Sequence, residues 1–176
     1  MSPQVKRYVP HAIQEQLMAL AERAEAAFEA DDYARAKELY VKAFELLPEP
    51  RYEWPQGEIL LDGASLAMLL ADDGEGVLQL LCDGLEAPVM NSPLMNLRIG
   101  QAFLLTDDEN SAVNHLLFAL LGGGRAVFDT EGPELYAFAT ERIRPPDGCT
   151  SWNEYQPPDE WPPDDVSEWF ELRSRG

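Results

Sequence analysis

The chain has 176 residues, of which 45% are hydrophobic, which is enough for one domain with a continuous core. Acidic residues outnumber basic ones by 32 to 13, and the formal charge of −19 disfavours direct binding to nucleic acid or to an anionic membrane surface. The same charge either attracts a basic partner or only keeps the protein soluble, and composition does not choose between these two interpretations.

The cellular compartment can be predicted from the absence of secretion and membrane features in the sequence. Cys82 and Cys149 are too few for a secreted disulfide framework. No apolar run reaches signal-peptide length after the N-terminal basic residues, and none reaches the roughly 18 to 20 residues of a membrane span. We therefore expect a cytoplasmic protein.

Apolar residues recur at three- and four-residue spacing along most of the chain, which predicts helices. Helix pairs are expected at about 11–48, 56–87 and 92–121, followed by an extra helix at about 132–143. The first pair meets at Asp31-Asp32, and the second at Asp72-Asp73-Gly74. Near-continuous hydrophobicity places the second pair in the interior. The predicted fold is all-α: about three antiparallel helical hairpins stacked over residues 1–143.

Small residues suggest that the hairpins are repeats. Ala24, Ala64 and Gly100 recur at offsets of 40 and 36 residues. The third hairpin matches the tetratricopeptide pattern at Ile99-Gly100, Phe103, Ala112, Leu116 and Ala119, and the first matches its second half at Asp32-Tyr33, Ala36, Tyr40, Ala43 and Pro48. The middle hairpin fits only small and apolar positions. A helical bundle without repeat stacking remains the alternative.

A longer resemblance extends from about Tyr52 to Tyr136. It is carried by Trp54 and Gly57, by the segment NSPLMNLRIGQAFLLTDDENSAVNHLLFALLGGGRAVF, and by Gly124, Phe128, Glu131, Pro133 and Tyr136. This half of the chain resembles bacterial tetratricopeptide-type proteins that are encoded beside polymorphic toxins. The family often has a lysine near the glycine turn, where this chain has Arg125. The resemblance implies an immunity-like role, in which the protein is a stoichiometric inhibitor of a cognate toxin.

Composition changes after Ile143. Residues 144–176 contain three Pro-Pro pairs and three of the four tryptophans, which favours extended segments over a further repeat. One hypothesis is an acidic, aromatic arm that binds the partner, with eight contact residues: Trp152, Tyr155, Asp159, Glu160, Trp161, Asp164, Asp165 and Trp169. The other is a cap, in which the same aromatic residues cover the end of the helical stack.

Catalytic, metal and cofactor sites are not expected. Ser65 follows Gly63-Ala64 within a predicted helix and not a strand, and the only histidines available as a base are His11 and His115. These histidines and the two cysteines lack metal-ligand spacing, and the acidic clusters lack the pattern of a calcium loop. Gly122-Gly123-Gly124 follows a predicted helix, so a helix-ending turn is favoured over a phosphate cradle.

These observations predict a protein-binding module and no enzyme. The first hypothesis is an immunity protein that occludes a basic bacterial toxin through steric and electrostatic contacts. The alternative is an acidic secretion or assembly chaperone that holds an extended segment of its client. An unrecognised enzyme would require Ser65 or His115 to act in turnover.

Overall fold

The structure, a computed structural model, describes residues 9–82 and 91–161. Seven α-helices occur in this part of the chain: α1 His11–Glu29, α2 Tyr33–Glu45, α3 Pro55–Leu70, α4 Gly74–Cys82, α5 Pro93–Leu105, α6 Glu109–Gly123 and α7 Pro133–Arg142. Short 3-10 helices lie at Arg51–Glu53 and Ala126–Phe128. No strand is present in these residues, so the predicted all-α class is confirmed.

An Asp-Asp turn connects the helices of each predicted hairpin. Its first aspartate has a positive φ of 57° at Asp31, 60° at Asp72 and 58° at Asp107. Aspartate tolerates this left-handed conformation better than most residues.

The second aspartate of each turn binds the start of the next helix. The carboxylates of Asp32, Asp73 and Asp108 accept the backbone N–H three residues later, at 3.1, 2.9 and 3.0 Å. Such side-chain caps satisfy N–H groups that have no partner within the helix. Six of the 32 acidic residues are therefore explained by turn geometry.

Among the described residues, the chain forms two compact units that divide between Asp72 and Asp73, inside the middle hairpin predicted from the sequence. The first unit contains residues 9–72. Here α2 packs against both α1 and α3, and the 3-10 helix at Arg51–Glu53 lies beside α3. Its buried side chains include Leu39, Phe44 and Leu60. Trp54 is also buried, and its Nε1 donates to the Pro48 carbonyl at 2.7 Å.

The second unit contains residues 73–82 and 91–161. Helix α5 packs against α4 and α6, and α6 packs against α7. Pro93 opens α5 after Ser92, whose Oγ accepts the Met95 N–H at 3.1 Å. The core of this unit combines side chains from α5, α6 and α7 with Trp152 from the segment beyond α7.

The interior position predicted for the second helix pair is wrong on one face of α3. Leu60, Leu61 and Met68 are buried as expected, but Ile59 is 71% exposed and Leu70 is 50% exposed. A helix that is apolar on all sides is normally buried, so this exposed face requires a separate explanation.

None of the described helices is long and apolar enough to cross a membrane.

Candidate functional site

The segment predicted to be an arm or a cap begins where α7 ends. Pro145 and Pro146 cannot continue a helix, because each lacks a backbone N–H and clashes with the preceding turn. A turn then reverses the chain: the Cys149 N–H donates to the Pro146 carbonyl at 3.1 Å, and Gly148 has a φ of 94°. We call residues 144–161 the strap.

The strap contains a hydrogen-bonded turn that brings two aromatic side chains together. The N–H groups of Glu154 and Tyr155 donate to the carbonyls of Ser151 and Trp152. The rings of Trp152 and Tyr155 meet edge to face, with centroids 5.3 Å apart. The Glu154 carboxylate accepts the backbone N–H and the hydroxyl of Thr150, each at 2.9 Å, and these hydrogen bonds lower the pKa of Glu154.

Three aromatic side chains join the strap to the helices of the second unit. Trp152 Nε1 donates to the carbonyl of Ile143 at 2.7 Å, Tyr155 Oη to that of Leu121 at 2.8 Å, and Trp161 Nε1 to that of Asn91 at 2.7 Å. Each bond places the apolar ring on the protein and gives its polar tip a backbone partner. Burial raises the pKa of the Tyr155 hydroxyl.

Glycines at the end of α6 provide the surface on which the strap lies. A Cβ at Gly122 would lie 2.6 Å from Cδ2 of Trp161, so any side chain there would displace the indole. Gly124 has φ 58° and ψ −148°, a conformation that only glycine adopts readily, and a Cβ there would lie 3.2 Å from Pro157. The helix-ending role predicted for these glycines is confirmed.

Several residues that carry the family resemblance have structural roles in this unit. The buried Arg98 guanidinium forms an ion pair with Glu131 at 2.8 Å, and Gln101 Nε2 donates to the other carboxylate oxygen at 2.7 Å. Phe128 is buried in the core. Tyr136 donates its hydroxyl to Asn153 Oδ1 in the strap at 3.1 Å.

Arg125 takes part in the same contact with the strap. Its Nη1 donates to Asn153 Oδ1 at 3.2 Å, and its guanidinium lies 5.4 Å from the centroid of the Tyr136 ring.

The eight predicted contact residues do not share one environment. Trp152 is only 3% exposed and belongs to the core, whereas Tyr155 and Trp161 are partly buried against the helices. Asp159 and Glu160 are exposed beside Trp161. The remaining three, Asp164, Asp165 and Trp169, lie outside the described residues. The described aromatic residues therefore lie against their own unit, as the cap hypothesis expects, and Asp159 and Glu160 are the described members of the set that face solvent.

The residues considered for catalysis have different surroundings. Ser65 is fully buried in the middle of α3, and its hydroxyl has no hydrogen-bond partner in the described part of the chain. His115 lies in α6, where its Nδ1 is 3.0 Å from Asn96 Oδ1 and its ring stacks on Phe103. His11 is exposed at the start of α1. Within residues 9–82 and 91–161, no group of three or more His, Cys, Asp or Glu side chains is placed to hold a metal ion.

The exposed apolar face of α3 was not evident from the sequence pattern, because its residues alternate with core residues in one hydrophobic run. The signal available was the apolar residue at each of positions 59, 66 and 70, which a helical wheel places together. In comparisons with known proteins, no family model, curated protein or solved structure matches this chain.

Proposed function

We propose that this protein binds a cationic protein partner, and that it acts as an immunity protein that neutralises a basic bacterial toxin by occluding it. One observation carries the proposal: carboxylates exceed basic groups by a wide margin, giving the chain a formal charge of −19. A field of this size steers and holds a partner of opposite sign. The resemblance to tetratricopeptide-type proteins of toxin loci supplies the class of partner.

The excess of negative charge is spread over both units. Residues 9–72 contain 13 acidic and 5 basic side chains, and residues 73–82 with 91–161 contain 13 acidic and 4 basic ones. One of those four basic groups, Arg98, is buried in an ion pair. Attraction of a cationic partner is therefore a property of each unit and does not depend on the C-terminal segment alone.

Asp159 and Glu160 are the strap carboxylates best placed for direct contact. Both are exposed, and the indole next to them is held by its bond to Asn91. A carboxylate on an immobilised segment loses less conformational entropy on binding than one on a free tail. These two side chains would meet basic groups around the toxin's substrate site, and the bulk of the helical unit would block that site.

The test is co-expression with the product of the neighbouring reading frame, followed by pull-down at low and high salt. We expect a complex that rescues growth and weakens as salt shortens the Debye length from about 30 Å to about 3 Å. Asp159→Asn with Glu160→Gln should weaken the complex. Glu15→Gln with Glu22→Gln, which removes the same charge from the exposed side of α1, is the matched control. Absence of a complex at low salt would refute the proposal.

The exposed face of α3 favours a second candidate function, that of a chaperone. Ile59 and Leu70 offer apolar area of the kind that holds an unfolded or extended client. A chaperone should bind a short client peptide in a manner that resists salt, whereas an immunity protein should bind a folded domain in a manner that salt weakens. The state of the bound partner therefore distinguishes the two functions.

A further inference from the structure

Four Asp-Gly steps occur in the sequence: Asp62-Gly63, Asp73-Gly74, Asp83-Gly84 and Asp147-Gly148. Such a step can rearrange, because the main-chain nitrogen that follows an aspartate can attack the carbon of its side-chain carboxyl and close a five-membered ring. Glycine favours the attack, since it has no Cβ to crowd the nitrogen. In a folded protein, ring closure depends on whether that nitrogen and that carboxyl are free to meet. Asp83-Gly84 lies outside the described residues.

The fold blocks the reaction at two of the described steps. Gly63 lies within α3, where its N–H is held in the helical hydrogen-bond ladder, and the Tyr40 ring covers its Cα. Asp73 caps α4 with its carboxylate, which accepts the Gly76 N–H at 2.9 Å. Gly74 is buried in a space too small for a Cβ. Neither step can reach the geometry of the ring without local unfolding.

Asp147-Gly148 has the opposite surroundings. Both residues are exposed, and nothing lies within 4 Å of the position that a Cβ on Gly148 would take. They are the central residues of the turn in the strap that is closed by the bond from the Cys149 N–H to the Pro146 carbonyl. That bond does not use the Gly148 N–H, and no group in the described residues accepts from it. The attacking nitrogen is therefore available.

The turn also permits the rotation that ring closure needs. Gly148 has a positive φ of 94° and Asp147 does not have a positive φ, which makes this a type II turn. Type I and type II turns differ mainly in the orientation of the central peptide group, which here joins Asp147 to Gly148. Because glycine adopts both signs of φ readily, this group can rotate while the residues on either side keep their places. The rotation moves the nitrogen relative to the Asp147 carboxyl.

We propose that Asp147-Gly148 is a site of spontaneous isoaspartate formation, and that the isomer loosens the strap as the protein ages. A bond forms between the Gly148 nitrogen and Cγ of Asp147, and the carboxyl hydroxyl leaves with the hydrogen of that nitrogen as water. Water then adds to one of the two carbonyls of the succinimide ring. Addition at Cγ restores aspartate. Addition at the main-chain carbonyl carbon breaks its bond to the Gly148 nitrogen, so the chain then continues through Cβ and Cγ. The net reaction is an isomerisation.

The isomer lengthens the main chain inside a short closed loop. Trp152 Nε1 donates to the Ile143 carbonyl nine residues earlier, so this bond closes a loop that contains the turn. Isoaspartate adds one methylene to the main chain of that loop. We expect the bond between Cys149 and Pro146 to be lost and the Trp152 indole to be held less tightly. This inference does not rest on the proposed function, because it concerns the chain alone.

The test is peptide mapping of the full-length protein after incubation at neutral pH and physiological temperature. Mass spectrometry with electron-transfer fragmentation locates isoaspartate, because it cleaves the Cα–Cβ bond that belongs to the main chain only in the isomer. Methylation by an isoaspartate-specific methyltransferase measures its amount. Asp147 should accumulate isoaspartate at least about tenfold faster than Asp62 or Asp73, since those two require local opening; a factor of ten corresponds to about 1.4 kcal/mol of opening free energy.

Two controls separate the effect of the fold from other causes. Asp147→Glu keeps the charge but would have to close a six-membered ring, which forms far more slowly, so this variant should not isomerise. In urea, where the fold no longer protects the helices, the three described steps should react at similar rates. After the same incubation, the wild-type protein should melt at a lower temperature than fresh protein, whereas Asp147→Glu should melt as before.

Absence of isoaspartate at Asp147, or equal accumulation at Asp62 or Asp73 in the folded protein, would overturn the assignment of this site. A preference for Asp147 that persists in urea would overturn the role given to the fold, because the local sequence would then explain the difference. Isoaspartate that forms without lowering the melting temperature relative to Asp147→Glu would refute the effect on the strap. All of these readouts are independent of partner binding.

Discussion

Replacing Trp152 separates the two hypotheses for the C-terminal segment. The indole is 3% exposed within the core of the second unit, and its N–H has a backbone partner at 2.7 Å. Trp152→Ala should lower the free energy of unfolding by about 3 to 5 kcal/mol, because it removes a large buried ring and leaves a cavity. Trp152→Phe retains most of the ring but leaves the Ile143 carbonyl without this donor, which should cost about 1 to 3 kcal/mol.

Urea-induced unfolding followed by far-ultraviolet circular dichroism measures both losses without relying on tryptophan fluorescence. Asp159→Asn with Glu160→Gln is the comparison, since substitution of these exposed side chains should change stability little but should weaken binding of a cationic partner. The cap interpretation of Trp152 would be refuted if the free energy of unfolding of Trp152→Ala lay within about 1 kcal/mol of the wild-type value while the variant no longer bound the partner protein. The indole would then be a binding anchor.

Three further substitutions test separate features. Ser65→Ala should raise the melting temperature, because it removes a buried hydroxyl without a hydrogen-bond partner in the described residues; a fall of several degrees would show that the hydroxyl is bonded. Glu131→Gln should cost about 3 kcal/mol by leaving the Arg98 charge buried, and Arg98→Met with Glu131→Leu should recover most of that loss in a double-mutant cycle. Burial raises the pKa of Tyr40 from 10.0 in the folded state, so the unfolded chain loses this proton first and the free energy of unfolding should fall as pH rises beyond about 10. Tyr40→Phe should make that fall less steep in alkaline unfolding experiments. An unchanged slope would show that Tyr40 does not cause the fall.

The helices were predictable because their apolar residues follow a helical period and their ends carry local signals. Pro93 and the glycines at the end of α6 marked a start and an end correctly. The division between Asp72 and Asp73 could not be predicted, since it depends on which helices pack together. The three Asp-Asp turns were visible in the sequence, but their common geometry appears only when the positive φ and the cap are seen together.

The candidate site was less predictable. Aromatic residues between prolines are equally compatible with a cap and with an arm, because the pattern does not say whether Trp152 meets the chain's own core or a partner. The partner of its N–H, the Ile143 carbonyl, lies nine residues away and has no sequence signature. Pairing of Arg98 with Glu131 spans 33 residues and depends equally on the tertiary fold.

Three of the four tryptophans lie beyond Ile143, yet exposed apolar side chains in the described residues are found on α1, α3 and α5. The reason is that aromatic rings with polar tips can be buried against backbone carbonyls, as in the strap, whereas Ile59 and Leu70 project from a face that no other described element covers. Charge cannot locate the contact either, because the two units carry similar excesses of carboxylates. A cationic partner would therefore be attracted to both units, and its position would be decided by local contacts such as those proposed for Asp159 and Glu160 in the strap. Salt should consequently change mainly the rate of association, whereas substitution of side chains buried in the contact should change mainly the rate of dissociation.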